Sequence, residues 1–107
     1  MLVRAAIYEG RAIEGAEERL REAINNELIP ALRALPGVAE AWIFWPRPAG
    51  SSAPSIYCQM LSLFDNEEQL NAMLNSRERD DYARKRNELL TLFNGKVSHM
   101  DYIWDQR

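Results

Sequence analysis

The stretch Val38–Trp45, VAEAWIFW, restricts the fold of this chain more than any other segment. In an extended strand, successive side chains point to opposite faces. Trp42 and Phe44 then share one face and Ile43 and Trp45 the other, so both faces carry large apolar groups. An antiparallel sheet with one face in water alternates apolar and polar residues instead. A sheet containing this strand therefore needs cover on both sides.

Three more segments read as strands by their period of two. Leu2–Glu9 sets Val3, Ala5 and Ile7 against Arg4, Ala6 and Tyr8, and Gly10 closes it. Ile56–Phe64 sets Leu61 and Leu63 against Cys58, Met60 and Phe64. Lys96–Asp105 sets Met100, Tyr102 and Trp104 against Val97 and Ile103. Pro46–Ser55, rich in Pro and Ser, reads as a long hairpin connection.

Two segments carry the helical period. Ile13, Ala16, Leu20, Ile24, Leu28, Ala31 and Leu35 recur every three or four residues and line one helix face. Glu17 and Glu18 lie early, where the helix dipole favours negative charge. Pro30 lacks an N–H and crowds the preceding turn, which predicts a kink or break near Glu27–Pro30. Pro36 and Gly37 are stop signals. In the second helical region Asp65 is the expected cap, with Glu68 three positions on, and Leu70, Met73 and Leu74 form the apolar face. Ser76 is the expected cap of a further segment that buries Tyr82, Leu89, Leu90 and Phe93 and ends at Gly95. The mixed-sign run RERDDYARKR reads as a solvated face.

The order is β-α-β-β-α-β, the ferredoxin-like arrangement of an α+β domain, here a single one over residues 1–107. Two helices cover one face of a four-stranded antiparallel sheet. The other face would leave a larger apolar patch than monomers usually expose. A second copy of the same sheet is the simplest cover, giving a homodimer that closes sheet to sheet into an α/β barrel.

Composition narrows the function classes. Thirteen basic against sixteen acidic residues give a net charge of -3, which argues against a nucleic-acid partner. The third strand also lacks the basic-Gly-aromatic signature of an RNA-recognition module built on the same element order. Cys58 is alone, so no intrachain disulfide is expected, and one Cys with one His cannot make a Cys/His zinc site. No run approaches the roughly 20 apolar residues that span a bilayer, and the N-terminus lacks the apolar core of a signal peptide. A cytoplasmic protein without a membrane partner is the expectation.

Three stretches carry a family resemblance. IPALRALPGV (Ile29–Val38) resembles the first-helix end of the EthD-like branch of the dimeric α/β-barrel superfamily. FDNEEQLNAMLNSRERDDYARKR (Phe64–Arg86) resembles its third-strand exit and second helix, and FNGKVSHMDYIW (Phe93–Trp104) its last strand. The resemblance implies a homodimer and cofactor-free chemistry, such as oxygenation of activated aromatics, isomerisation or cyclisation. Some members of the superfamily bind haem, but His99 would be the sole imidazole ligand here and no cofactor is expected. Many EthD-like chains carry a histidine two residues before the helix proline; this chain has Leu28 there, so a function resting on that histidine does not carry over.

His99 is the only histidine, and Asp101 follows two positions on. If Val3, Ala5 and Ile7 face the helices together with Met100, Tyr102 and Trp104, then His99 and Asp101 face the barrel interior. A histidine within reach of a carboxylate in a dry cavity can act as a general acid or base near neutral pH. Residues two apart on a strand are about 7 Å apart, however, and a polar interface role is the plainer alternative. Arg4 and Tyr8 share the presumed inner face; Arg4 can hold a carboxylate or form a rim ion pair, and Tyr8 can donate to a ligand or pack at the interface. Gln59 is polar within an apolar strand, an orienting group or a cross-dimer hydrogen bond. Trp42 can wall an aromatic pocket or simply fill core. Cys58 reads as a buried inert thiol.

Two functional readings stand at this level. One is a dimeric barrel binding a small apolar or aromatic molecule, with enzymatic activity left open. The other is a non-catalytic dimer, an accessory or ligand-sequestering module with a packed interior. Neither names a ligand.

Overall fold

The computed structural model describes residues 1–47 and 55–105. Four strands, β1 (Leu2–Ala12), β2 (Glu40–Phe44), β3 (Ile56–Phe64) and β4 (Phe93–Ile103), form one sheet in the order β2-β3-β1-β4. Every pairing is antiparallel. Helices α1 (Glu17–Ala23), α2 (Ile29–Arg33), α3 (Glu67–Leu74) and α4 (Arg77–Leu89) fill the two crossovers, giving the expected ferredoxin-like architecture. Part of the connection expected at Pro46–Ser55 lies outside the described residues.

Leu20, Ile24, Leu28, Ile29 and Leu32 from the first crossover pack with Met60, Phe64, Leu70 and Met73 in the main core. The break expected at Glu27–Pro30 is present as a π turn, Ile24–Leu28, between α1 and α2. The Ile29 N–H reaches back five residues to the Ile24 carbonyl, one residue further than in an α-helix. Widening that turn accommodates Pro30, whose ring would crowd the carbonyl four residues earlier.

Several boundaries differ from the sequence reading. Asn66, not Asp65, caps α3: its side-chain oxygen accepts from the Gln69 N–H at 2.9 Å. Ser76 caps α4 as expected, accepting from the Arg79 N–H at 3.1 Å. Yet α4 has no fully buried residue; Tyr82, Leu89 and Leu90 are half-buried, and Phe93 belongs to β4. Ile13 precedes the helix and is exposed.

Gly10 and Gly95 do not end their elements but lie inside β1 and β4, paired with each other. A Cβ on Gly10 would sit 2.2 Å from the Asn94 carbonyl oxygen, and one on Gly95 2.0 Å from that of Glu9. Gly10 also has φ of +134°, which side-chain-bearing residues rarely adopt.

The main correction concerns which side of the sheet is which. The row under the helices contains Leu2, Arg4, Ala6 and Tyr8, in register with Phe64, Ser62, Met60 and Cys58 of β3 and with Ile103, Asp101, His99 and Val97 of β4. Val3, Ala5 and Ile7 occupy the open side with Met100 and Tyr102. Within β1 and β4 the grouping of side chains into rows was right and its sign was reversed, while Gln59, expected with Tyr8 and His99, lies in the other row. Alternation reports parity only, and an aliphatic row looked like the core row. Ala5 is nonetheless fully buried on the open side, in register between Leu61 and Met100.

The open side is apolar. Phe44 is 56% exposed, and Met100 and Tyr102 are each 51% exposed. Trp42 and Leu61, opposite one another in register, are half-buried there.

Candidate functional site

Helices and sheet do not close completely on each other. A cavity of about 40 Å³ separates them, floored by Met60 and Ser62 of β3 and Ala6 of β1. Leu32, Leu35 and Met73 form its apolar wall. Arg79, Tyr82 and Arg86 reach in from α4, while Arg4 and His99 reach in from the sheet. Positions 79, 82 and 86 follow i, i+3, i+7 spacing, which keeps all three on one helix face. A buried water needs about 10–15 Å³, so the space holds a few waters or a small functional group.

His99 sits at the rim, exposed on one side. Its imidazole pKa lies below the ordinary 6.5, first because partial burial disfavours the charged form, then because Arg4, Arg86 and Arg79 repel a proton. Asp101 opposes the shift without reversing it. The ring is therefore mainly neutral at pH 7 and able to accept a proton.

Asp101 is engaged elsewhere. Arg4 Nη1 donates to both its carboxylate oxygens, each at 3.0 Å, across directly paired positions of β1 and β4. The pair is partly exposed, so its worth to stability is small, but it fixes the Arg4 side chain at the cavity edge. Ser62 Oγ, buried below, donates to the Arg4 carbonyl at 3.4 Å.

Tyr82 Oη is directed to Met60 Sδ at 3.8 Å, a weak sulfur contact. Burial pushes its hydroxyl pKa up to about 12, with Arg86 partly offsetting the rise. Tyr8 lies deeper, 2% exposed, its ring edge-on to Phe93 at 5.9 Å between centroids. Its hydroxyl is buried without a hydrogen-bond partner among the described residues, and burial raises its pKa far above the ordinary value. Cys58 is buried beside it in register, its thiol pushed up to about 12 by burial and hence protonated, an inert core group.

The structure thus divides the sequence candidates. Arg4 and His99 line the cavity, and Asp101 joins them through Arg4. Tyr8 is in the core on the same side. Trp42 and Gln59 lie on the opposite, open side, where Gln59 is in register between Ile7 and Phe44. The barrel-interior setting expected for Arg4, Tyr8, His99 and Asp101 does not hold, because these four project beneath the helices.

Sequence reading missed Arg79 and Arg86. They belong to the run read as a solvated face, and most of its charges are indeed exposed. The available signal was Tyr82, already assigned to the buried side, with an arginine about one turn away in each direction on the same helix face.

Among the described residues no cluster of side chains suited to a metal ion occurs, and no helix is long and apolar enough to cross a membrane. No family model matches the chain, and a search of curated proteins found no match. Solved structures do match. An EthD family protein from Bacillus halodurans superposes with a TM-score of 0.75 at 16% identity, covering 98% of this chain and 100% of the other. SnoaB from Streptomyces nogalater, described as a cofactor-independent oxygenase, gives 0.67 at 10% identity, covering 99% and 94%. A dimeric ferredoxin-like protein from Jannaschia gives 0.65 at 20% identity, covering 97% and 100%. By its fold the chain is ferredoxin-like, and the likeness to these structures extends over nearly its whole length.

Proposed function

We propose that this protein binds a small, largely apolar molecule between its helices and its sheet, with His99 as the proton-accepting group. The observation that carries the reading is the placement of a mainly neutral imidazole at the rim of a cavity that has an apolar wall of Leu32, Leu35 and Met73. Its lowered pKa makes it a weak base, suited to an already acidic C–H or O–H such as that of an activated phenol or dicarbonyl. Removal of such a proton leaves a delocalised anion on the ligand and an imidazolium on His99. That step opens cofactor-free oxygenation, isomerisation and cyclisation alike. The described activity of SnoaB, a cofactor-independent oxygenase, supports the first of these.

The reading moves the ligand site of the sequence analysis from the barrel interior to the helix side of the sheet. It leaves the open face to a second copy of the chain. The exposed Phe44, Met100 and Tyr102 support that pairing, as does the description of the Jannaschia neighbour as dimeric.

The small cavity also favours a second reading, a non-catalytic dimer with a packed interior. Ligand pockets for drug-sized molecules are typically about 300–1,000 Å³, so anything large requires the helices to move apart. Helix α4, which has no fully buried residue, is the element that can give way.

Native mass spectrometry of the freshly purified protein, beside an Ala6→Leu variant, separates the two readings. Ala6 lines the cavity, and a leucine there fills it. A retained small molecule in the wild type that is lost from Ala6→Leu is the expected result. Retention by the variant overturns the location, and a ligand-free wild type favours the packed module.

A further inference from the structure

Helix α4 sorts its charges by side. Glu78, Asp80, Asp81 and Glu88 are exposed, as are Arg84 and Lys85. The outward cations are compensated by a carboxylate or by water: Arg84 donates to Asp81, Lys85 Nζ lies 4.0 Å from a Glu27 carboxylate oxygen, and Arg77 is exposed. The inward cations are not. Arg79 and Arg86 are half-buried, line the cavity and form no ion pair among the described residues. No carboxylate lines the cavity, and Asp101, which acts on His99 at its rim, is already held by Arg4. A partly desolvated guanidinium facing an apolar wall is costly unless an anion meets it. The placement is also against the overall balance, since the chain as a whole carries a net charge of -3.

The geometry points to a small organic carboxylate as the ligand class of this cavity, its carboxylate held by Arg79 and Arg86 and its apolar body against Met60, Leu32 and Leu35. This rests on the cavity being the ligand site and adds what that site selects. Guanidinium forks match planar carboxylates, which accept paired N–H donors. The apolar wall and a volume of about 40 Å³ suit a few carbons beside that group. Because both arginines come from α4, the anion also ties that helix to the sheet.

His99, the only histidine, gives an uncluttered NMR reporter at the rim. The probes are propionate, its neutral isostere propionamide, and inorganic phosphate, titrated at constant ionic strength. Propionate is expected to shift the imidazole signals saturably, and at least tenfold more tightly than propionamide. Arg79→Gln and Arg86→Gln are each expected to weaken propionate at least tenfold, with Lys85→Gln, on the outward side, unchanged. Equal binding of propionate and propionamide, indifferent to both arginine variants, overturns the carboxylate assignment and leaves the cavity reading standing. Phosphate binding as tightly as propionate overturns it too. Propionate shifts that persist undiminished in Ala6→Leu place the anion outside the cavity. Absence of any saturable shift with every probe overturns the carboxylate assignment, the cavity reading being decided by the mass spectrometry of wild type and Ala6→Leu.

Discussion

At the scale of single residues, the candidate site departs from ordinary core chemistry on β1. The helix-facing row of that strand contains Arg4, where an aliphatic residue would be the simple choice. Its presence is explained by the gap above it: the side chain runs along the cavity edge and ends on Asp101. His99 inherits its low pKa from the same crowding of arginines, Arg4 from β1 and Arg79 and Arg86 from α4, against the single opposing carboxylate of Asp101. A pH dependence of stability follows. The unfolded imidazole takes up its proton near the ordinary 6.5, before the folded one does. Stability therefore falls as pH drops from 6.5 to the lower folded value. Urea midpoints measured between about pH 7.5 and about pH 5.5 should fall further for the wild type than for His99→Gln. Equal falls in the two proteins would mean that the folded pKa is not lowered.

At the scale of elements, α4 is the part of the fold that local chemistry holds more than packing. It has no fully buried residue, and its N-terminus is fixed by Ser76, which accepts from the Arg79 N–H and donates to the Met73 carbonyl at 2.7 Å. Ser76→Ala should cost about 1 kcal/mol of stability, the usual worth of a cap. The loss should also appear as faster amide exchange along α4 than along α3, since α3 keeps its own Asn66 cap. Uniform loss of protection would place α4 in the same cooperative unit as the core.

The same element shows where sequence reading stops. Tyr82 was visible as an inward residue, but the arginines beside it were hidden in a run whose composition is that of a solvent face. The π turn was half legible. Pro30 announced a break, while the way the backbone absorbs it, by one wider turn, depends on how α1 and α2 must both reach the sheet. The cap at Asn66 was missed by one position because Asp65 and Asn66 are both good caps and the sequence pattern does not choose between them.

At the scale of the whole molecule, the element order and the two-sided apolar character of the sheet were legible. The inward side was not. A strand pattern fixes which residues share a side and leaves the choice of side to packing, and both rows of β1 contain plausible core residues. What the described chain leaves uncovered is the face with Phe44, Met100 and Tyr102. These side chains are exposed within one copy, so charging them should spare its folding. The wild type is expected to sediment as a dimer, and Phe44→Glu combined with Met100→Glu as a folded monomer. A variant that still dimerises would move the interface elsewhere. If the barrel forms as proposed, the two cavities lie on its outside, each under its own helices, and the partner influences them only through the sheet.

The paired glycines of β1 and β4 bear on all of this. Because side chains alternate along a strand, sliding β4 by one position would carry His99 and Asp101 to the opposite side, away from Arg79 and Arg86. Gly10 and Gly95 oppose that slip, since each leaves no room for a Cβ against the other strand. Displaced by one, either glycine would face a residue with a side chain. Two positions that contribute no side chain at all thus help to hold the register that keeps the protein's only imidazole beneath the helices.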